Sequence, residues 1–85
     1  MATMRDTYGN VMGRSEAESF RNVCGDWVLA LIDGSLIDNQ INDSYGNKVA
    51  EIRGGYICDT SGTRLVEMNG NRIYDMLGTW LFTID

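Results

Sequence analysis

The feature that most constrains this chain is an internal repeat. Written from Asp38 in blocks of sixteen, the sequence reaches its last residue in three gapless lines, DNQINDSYGNKVAEIR, GGYICDTSGTRLVEMN and GNRIYDMLGTWLFTID. Five positions coincide in all three: Ile41, Ile57 and Ile73; Asp43, Asp59 and Asp75; Gly46, Gly62 and Gly78; Val49, Leu65 and Leu81; and Ile52, Met68 and Ile84. A fixed period of this kind marks a supersecondary unit used several times. A shorter echo, DTYGNV at Asp6–Val11 against DSYGNK at Asp43–Lys48, starts the pattern at the N-terminus, where it is then interrupted.

Each block contains two turns. Asp-x-x-Gly supplies an aspartate that accepts backbone N–H bonds and a glycine that takes positive φ after a type I turn. Asn69-Gly70, with Arg53-Gly54 in phase before it, has the chemistry of a two-residue hairpin turn. Between the turns, strands are expected near Lys48–Ile52, Gly55–Cys58, Arg64–Met68, Asn71–Tyr74 and Thr79–Ile84, where β-branched and aromatic residues concentrate. Joined in order they form an antiparallel meander. A solenoid would stack equivalent residues instead, but the Asn-Gly pair favours the hairpins.

Alternation sets Ala50 and Ile52, Val66 and Met68, and Trp80, Phe82 and Ile84 on one face, and Val49, Leu65 and Leu81 on the other. Both faces are therefore partly apolar, which calls for strong coiling, for bulges beside the Asp-x-x-Gly corners, or for a partner over the second face. Upstream, Ser15 and Glu18 have capping-box spacing, and Ala17, Phe20 and Val23 or Cys24 recur at helical spacing before Gly25. The apolar run Trp27–Ile32 is expected to be a strand, with Asp33-Gly34 turning into a further hairpin. The expected fold is α+β, mainly β: a twisted antiparallel meander of short repeated hairpins with one short N-terminal helix. Residues 1–85 form a single domain, and 38–85 are the three repeats.

Composition narrows the function. An 85-residue chain holds one core. Twelve acids against seven bases give −5, and with no histidine this charge is steady near neutrality. Residues 1–34 carry five acids and three bases and the remainder seven and four, so neither half is basic enough to follow a phosphate backbone. Direct nucleic-acid binding and membrane association are not expected, because no apolar run approaches membrane length. Cys24 and Cys58 cannot form a metal set alone and read as reduced, buried thiols of a cytoplasmic protein. Neither has a histidine to act as its base, no nucleophile elbow surrounds a serine, and no phosphate loop is present, so no catalytic residue and no cofactor is expected. The aligned aspartates invite calcium, but neither the EF-hand nor the nonapeptide calcium repeat occurs, and they read as turn residues without metal.

The aromatic residues carry the functional expectation. Tyr8, Tyr45, Tyr56, Tyr74, Trp80 and Phe82 are candidates for contact with a protein partner, since so small a core cannot hold every ring. Tyr8 and Tyr45 occupy equivalent places in their turns. Trp80, Phe82 and Ile84 lie on the last strand, whose unpaired edge is expected to pair with the same edge of a second chain in a homodimer, the alternative being cover by Thr3–Arg5 of the same chain. The expected function is that of a small acidic protein-binding module without catalysis, inhibition of a larger protein included. The alternatives are a structural module that assembles into a larger oligomer or particle, and an acidic mimic that blocks a nucleic-acid enzyme. The segment GNRIYDMLG, Gly70–Gly78, resembles the tyrosine-aspartate repeats of large bacterial surface and toxin shells. That likeness covers under half the chain, and at Cys58-Asp59 it keeps only the aspartate.

Overall fold

The structure is a computed structural model and describes residues 2–85. Strand β1 (Met4–Arg5) is followed by three short helices, α1 (Arg14–Glu18), α2 (Arg21–Cys24) and α3 (Trp27–Asp33). Seven strands complete the chain: β2 (Ser35–Ile37), β3 (Gln40–Asn42), β4 (Lys48–Arg53), β5 (Tyr56–Cys58), β6 (Arg64–Asn69), β7 (Arg72–Tyr74) and β8 (Trp80–Ile84). They form one antiparallel sheet in the order β1-β8-β7-β6-β5-β4-β3-β2, curled into a half-barrel with the helices at its N-terminal side.

The curl comes from a bulge that recurs once per repeat. Ile41 pairs with Ala50 but Asn42 pairs with Lys48, which leaves Val49 as an extra residue. Leu65 is extra in the same way opposite Ile57 and Cys58, and Leu81 opposite Ile73 and Tyr74. A bulge increases local twist and lets two successive side chains lean to one face. Val49, Leu65 and Leu81 accordingly pack against the same core as Ala50, Val66 and Phe82. This resolves the apparent two-faced apolar pattern without a partner.

The register also shows where the interrupted repeat goes. Met4 pairs with Ile84 and Arg5 with Thr83, as Ile57 pairs with Ile52 and Cys58 with Glu51 one repeat away. At the other end, Ser35, Leu36 and Ile37 pair with Asn42, Ile41 and Gln40, as Glu51, Ile52 and Arg53 pair with Cys58, Ile57 and Tyr56. The residues up to Gly13 and the strand Ser35–Ile37 are thus the two pieces of a fourth sixteen-residue block, parted by the 21 residues Arg14–Gly34 that carry the helices. One piece completes each end of the sheet. The edge of β8 is therefore covered by β1 of the same chain, and the C-terminal edge that suggested a homodimer is closed.

Three upstream expectations are corrected. The single helix is three, with Gly13 rather than Ser15 at the first N-terminus, its N–H donating to Glu16 Oε2 at 3.0 Å. The run Trp27–Ile32 is helix, not strand. Its short apolar pattern fits either period, and both ends of the sheet are filled by the split repeat, so Leu29, Ala30 and Leu31 follow their helical propensity. Trp27, Val28, Ala30 and Leu31 are buried. Gly34 closes this helix by donating to the Ala30 carbonyl at 2.7 Å, and the tight turn lies further on, at Asp38 (φ 52°) and Asn39 (φ 64°). Likewise Asn69 pairs with Arg72, so the central residues of that turn are Gly70 and Asn71, and Asn69 is the last residue of its strand.

The core lies between the concave face and the helices. Met4, Ile41, Ile57 and Ile73 all point into it and are buried. Side-chain size grows along the facing row, from Ala50 through Val66 to Phe82. Helix α3 contacts β2, β3 and β4, where Ala50 leaves room. At the far end Phe82 fills the space itself, with Phe20 and Trp27 rings 5.1 and 6.1 Å from its centroid. Large facing small is how such layers reach native density.

Candidate interaction surface

The Asp-x-x-Gly corners are built from one set of bonds used four times. Asp43 Oδ1 accepts the N–H groups of Tyr45 and Asn47, each at 2.9 Å. Asp59 does the same for Ser61 and Thr63, Asp75 for Leu77 and Thr79, and Asp6 for Tyr8 and Asn10. The glycine of each corner takes a positive φ, between 85° and 91°. Each aspartate thus spends one oxygen on its own turn. Among the described residues no group of three or more acidic, cysteine or histidine side chains is placed to hold a metal ion.

In a meander, successive turns alternate between the two ends of the strands, so all four corners lie on one rim. Neighbouring corners are two strands apart, about 10 Å. Read along the sheet, the residue two places after each aspartate is Tyr45, Ser61, Leu77 and then Tyr8. The backbone N–H of each is held by the aspartate, which leaves its side chain outside. Tyr45 is 88%, Leu77 93% and Tyr8 90% exposed, with Met76 at 56% beside Leu77. These tips make the rim the candidate surface, as a row of separate apolar side chains broken by Ser61 between Tyr45 and Leu77.

The other four sequence candidates fall elsewhere. Phe82 is fully buried in the core, paired with Ile73 on the concave face beneath Phe20 and Trp27, while the bulge at Leu81 sends Trp80 to the convex face. Phe82 offers no ring to a partner. Tyr56, Tyr74 and Trp80 are half-buried on the convex face; Tyr74 and Trp80 flank the Asp75 corner, and Trp80 lines a shallow hollow with Tyr8 and Arg72. On this face Arg64 stacks on Tyr56 with its guanidinium carbon 4.3 Å from the ring centroid, and Arg72 stacks on Trp80 at 4.2 Å. Sequence reasoning missed Leu77 and Met76. The signal was present, since Leu77 stands in its block where Tyr45 stands, but only the Tyr8 and Tyr45 turns had been compared.

The electrostatics do not assemble reacting groups. Glu51 is held below the usual carboxylate range by its hydrogen bond from Lys48, and Glu16 by backbone and Ser15 hydrogen bonds. Burial, with the Asp75 charge adding to it, pushes the Cys24 thiol up to about 11, the direction opposite to that of an activated thiolate. Cys24 belongs to the core, whereas Cys58 is buried on the convex side, and both are free. No helix among the described residues is long and apolar enough to cross a membrane. No protein-family model matches this sequence, and no curated protein or solved structure matches the chain.

Proposed function

We propose that this chain is a non-catalytic protein-binding module of the cytoplasm that seats its corner rim on a larger protein and inhibits it by occupying that surface. The observation that carries this reading is the row of apolar tips Tyr45, Leu77 and Tyr8 on one edge of a rigid sheet. Rings and branched side chains on hydrogen-bonded corners lose little freedom on docking, which favours affinity. Two free, buried thiols suit a reducing compartment. Nucleic-acid mimicry is the weaker reading, because the corner carboxylates turn inward to their own backbones and apolar tips stand between them.

The test is capture of a partner by the intact chain, compared with the triple variant Tyr8→Ser, Tyr45→Ser, Leu77→Ser. All three side chains are exposed, so the variant should melt with the parent. Loss of at least about tenfold in affinity, with hydrogen-exchange protection on the four corners of the complex, is the expected result. Undiminished capture by the variant would remove the rim from the argument.

A further inference from the structure

The convex face of the sheet carries a separate feature that the rim does not explain. Five of the seven cations, Arg5, Lys48, Arg53, Arg64 and Arg72, lie on it, against the three carboxylates of Glu51, Glu67 and Asp85. That leaves the face at +2. The two remaining cations and nine remaining carboxylates put −7 on the helices, corners and rim. Opposite charges are thus separated onto different sides of a chain whose net charge is −5.

Most of these cations are already paired. Arg5 is bound to Asp85, Arg14 to Asp33, Arg21 to Glu18 and Asp26, and Lys48 and Arg53 both to Glu51. Arg64 and Arg72 are the exceptions: among the described residues neither meets a carboxylate. Each lies instead on a ring, Arg64 on Tyr56 and Arg72 on Trp80. These are the same two repeat positions with the partners exchanged, since Tyr56 and Arg72 occupy one place in their blocks and Arg64 and Trp80 another. The two arginines stand on the adjacent strands β6 and β7 but at opposite ends of them, since Arg64 pairs with Cys58 and Arg72 with Asn69, and each lies over a ring of the next strand, Tyr56 of β5 and Trp80 of β8. An aromatic ring beneath a guanidinium fixes its plane and leaves its N–H edges free.

We propose that this convex face is a second binding surface, and that its ligand is an acidic polypeptide segment whose carboxylates pair with Arg64 and Arg72. Two flat, unspent forks lie over β5 and β8, three strands or about 14 Å apart, a spacing that matches carboxylates about four residues apart on an extended chain, each accepted bidentately. The charge distribution selects a short acidic segment over a nucleic acid. A polyanion running past the face meets the −7 remainder, whereas a few carboxylates stay within the local positive field. The site borders the rim at the Asp6 corner, where Tyr8 lines the same hollow as Arg72 and Trp80; Tyr45 stands apart from it, so substitutions there separate the two surfaces.

The intact chain is titrated with a hexaglutamate peptide and followed by backbone and indole N–H resonances. The indole of Trp80 is a distinct reporter because it donates to the Phe82 carbonyl at 3.2 Å. Shifts should concentrate on Tyr56, Arg64, Arg72 and Trp80 and fade in high salt, as screened contacts do. The double variant Arg64→Gln, Arg72→Gln should weaken binding by about tenfold or more, and Arg64→Lys, Arg72→Lys by less, since the charge stays while the fork is lost. The rim variant Tyr45→Ser, remote from both stacked arginines, should bind the peptide as the parent does. No shift up to about 5 mM peptide, shifts on the helices instead, or full binding by the glutamine variant would overturn the proposal. So would tighter binding of an oligothymidylate than of the peptide, which would make the face a platform for single strands.

Discussion

Thr3 and Asp85 exchange two backbone hydrogen bonds, Asp85 N–H to the Thr3 carbonyl at 2.8 Å and Thr3 N–H to the Asp85 carbonyl at 3.3 Å. Arg53 and Tyr56 are paired across Gly54–Gly55 at the equivalent place in the sheet. Joining Asp85 to Thr3 through Asn-Gly and opening the chain between Gly54 and Gly55 should therefore give a folded circular permutant. Its stability should lie within about 2 kcal/mol of the parent, because the new ends fall in an exposed turn. Denaturant unfolding checks this, and a permutant without a cooperative transition would contradict the split-repeat reading.

Gly34 and Gly62 separate collision from backbone strain. A Cβ on Gly34 would run into the Asn42 carbonyl oxygen, while one on Gly62 would meet nothing but would sit at φ +89°. Gly62→Ala should cost about 1 kcal/mol. Gly34→Ala should cost about 3 kcal/mol or more, since backbone must move. The two melting curves compared side by side test the order.

Asp59→Ala removes an acceptor of two backbone N–H groups, from Ser61 at 2.9 Å and Thr63 at 3.0 Å. Water can replace part of that bonding at an exposed corner, so a loss of about 1–2 kcal/mol is expected. Asp59→Asn keeps an amide oxygen in the same place and should lose less. Equilibrium unfolding of both variants measures the difference.

Cys24 makes stability fall at alkaline pH. Its thiol ionises near 9.0 when unfolded and is pushed up to about 11 in the fold by burial. A raised native pKa means full stabilisation below the unfolded value and loss as pH climbs toward the folded one, at no more than about 1.4 kcal/mol per pH unit. Cys24→Ala should be less stable at pH 8 through the lost packing, yet flatter between about pH 9 and 11 than the parent. Parallel slopes for the two proteins would refute this.

The repeats, the Asp-x-x-Gly corners and the five C-terminal strands were legible because each rests on local chemistry: the Asp43, Asp59 and Asp75 corners need no distant contact. The hairpin expected at Asn69-Gly70 was one residue early, since Gly70 and Asn71 make the turn. The helix at Trp27–Asp33 was not legible. Six successive apolar residues, Trp27–Ile32, carry no decisive period, and what selected helix was that Met4–Arg5 and Ser35–Ile37 had taken both ends of the sheet. The rim was half visible. Tyr8 and Tyr45 declared it and Leu77 was hidden by its change of residue type; alternation gave Phe82 its true face, which is the core and not a contact surface, and a bulge reversed the face it gave Trp80. The stacked arginines were invisible for a different reason: Arg72 and Trp80 belong to separate strands, and only the curled sheet lays one across the other.

The split repeat also fixes the order in which this protein can become itself. Its first strand has no place to go until its last has been made, for Met4 rests against Ile84. Each later hairpin closes a short loop, whereas Met4 and Arg5 pair across about eighty residues with Ile84 and Thr83. That pairing therefore carries the largest loop-closure entropy of any in the sheet. A nascent chain halted before Ile84 would display the very edge that the finished protein hides.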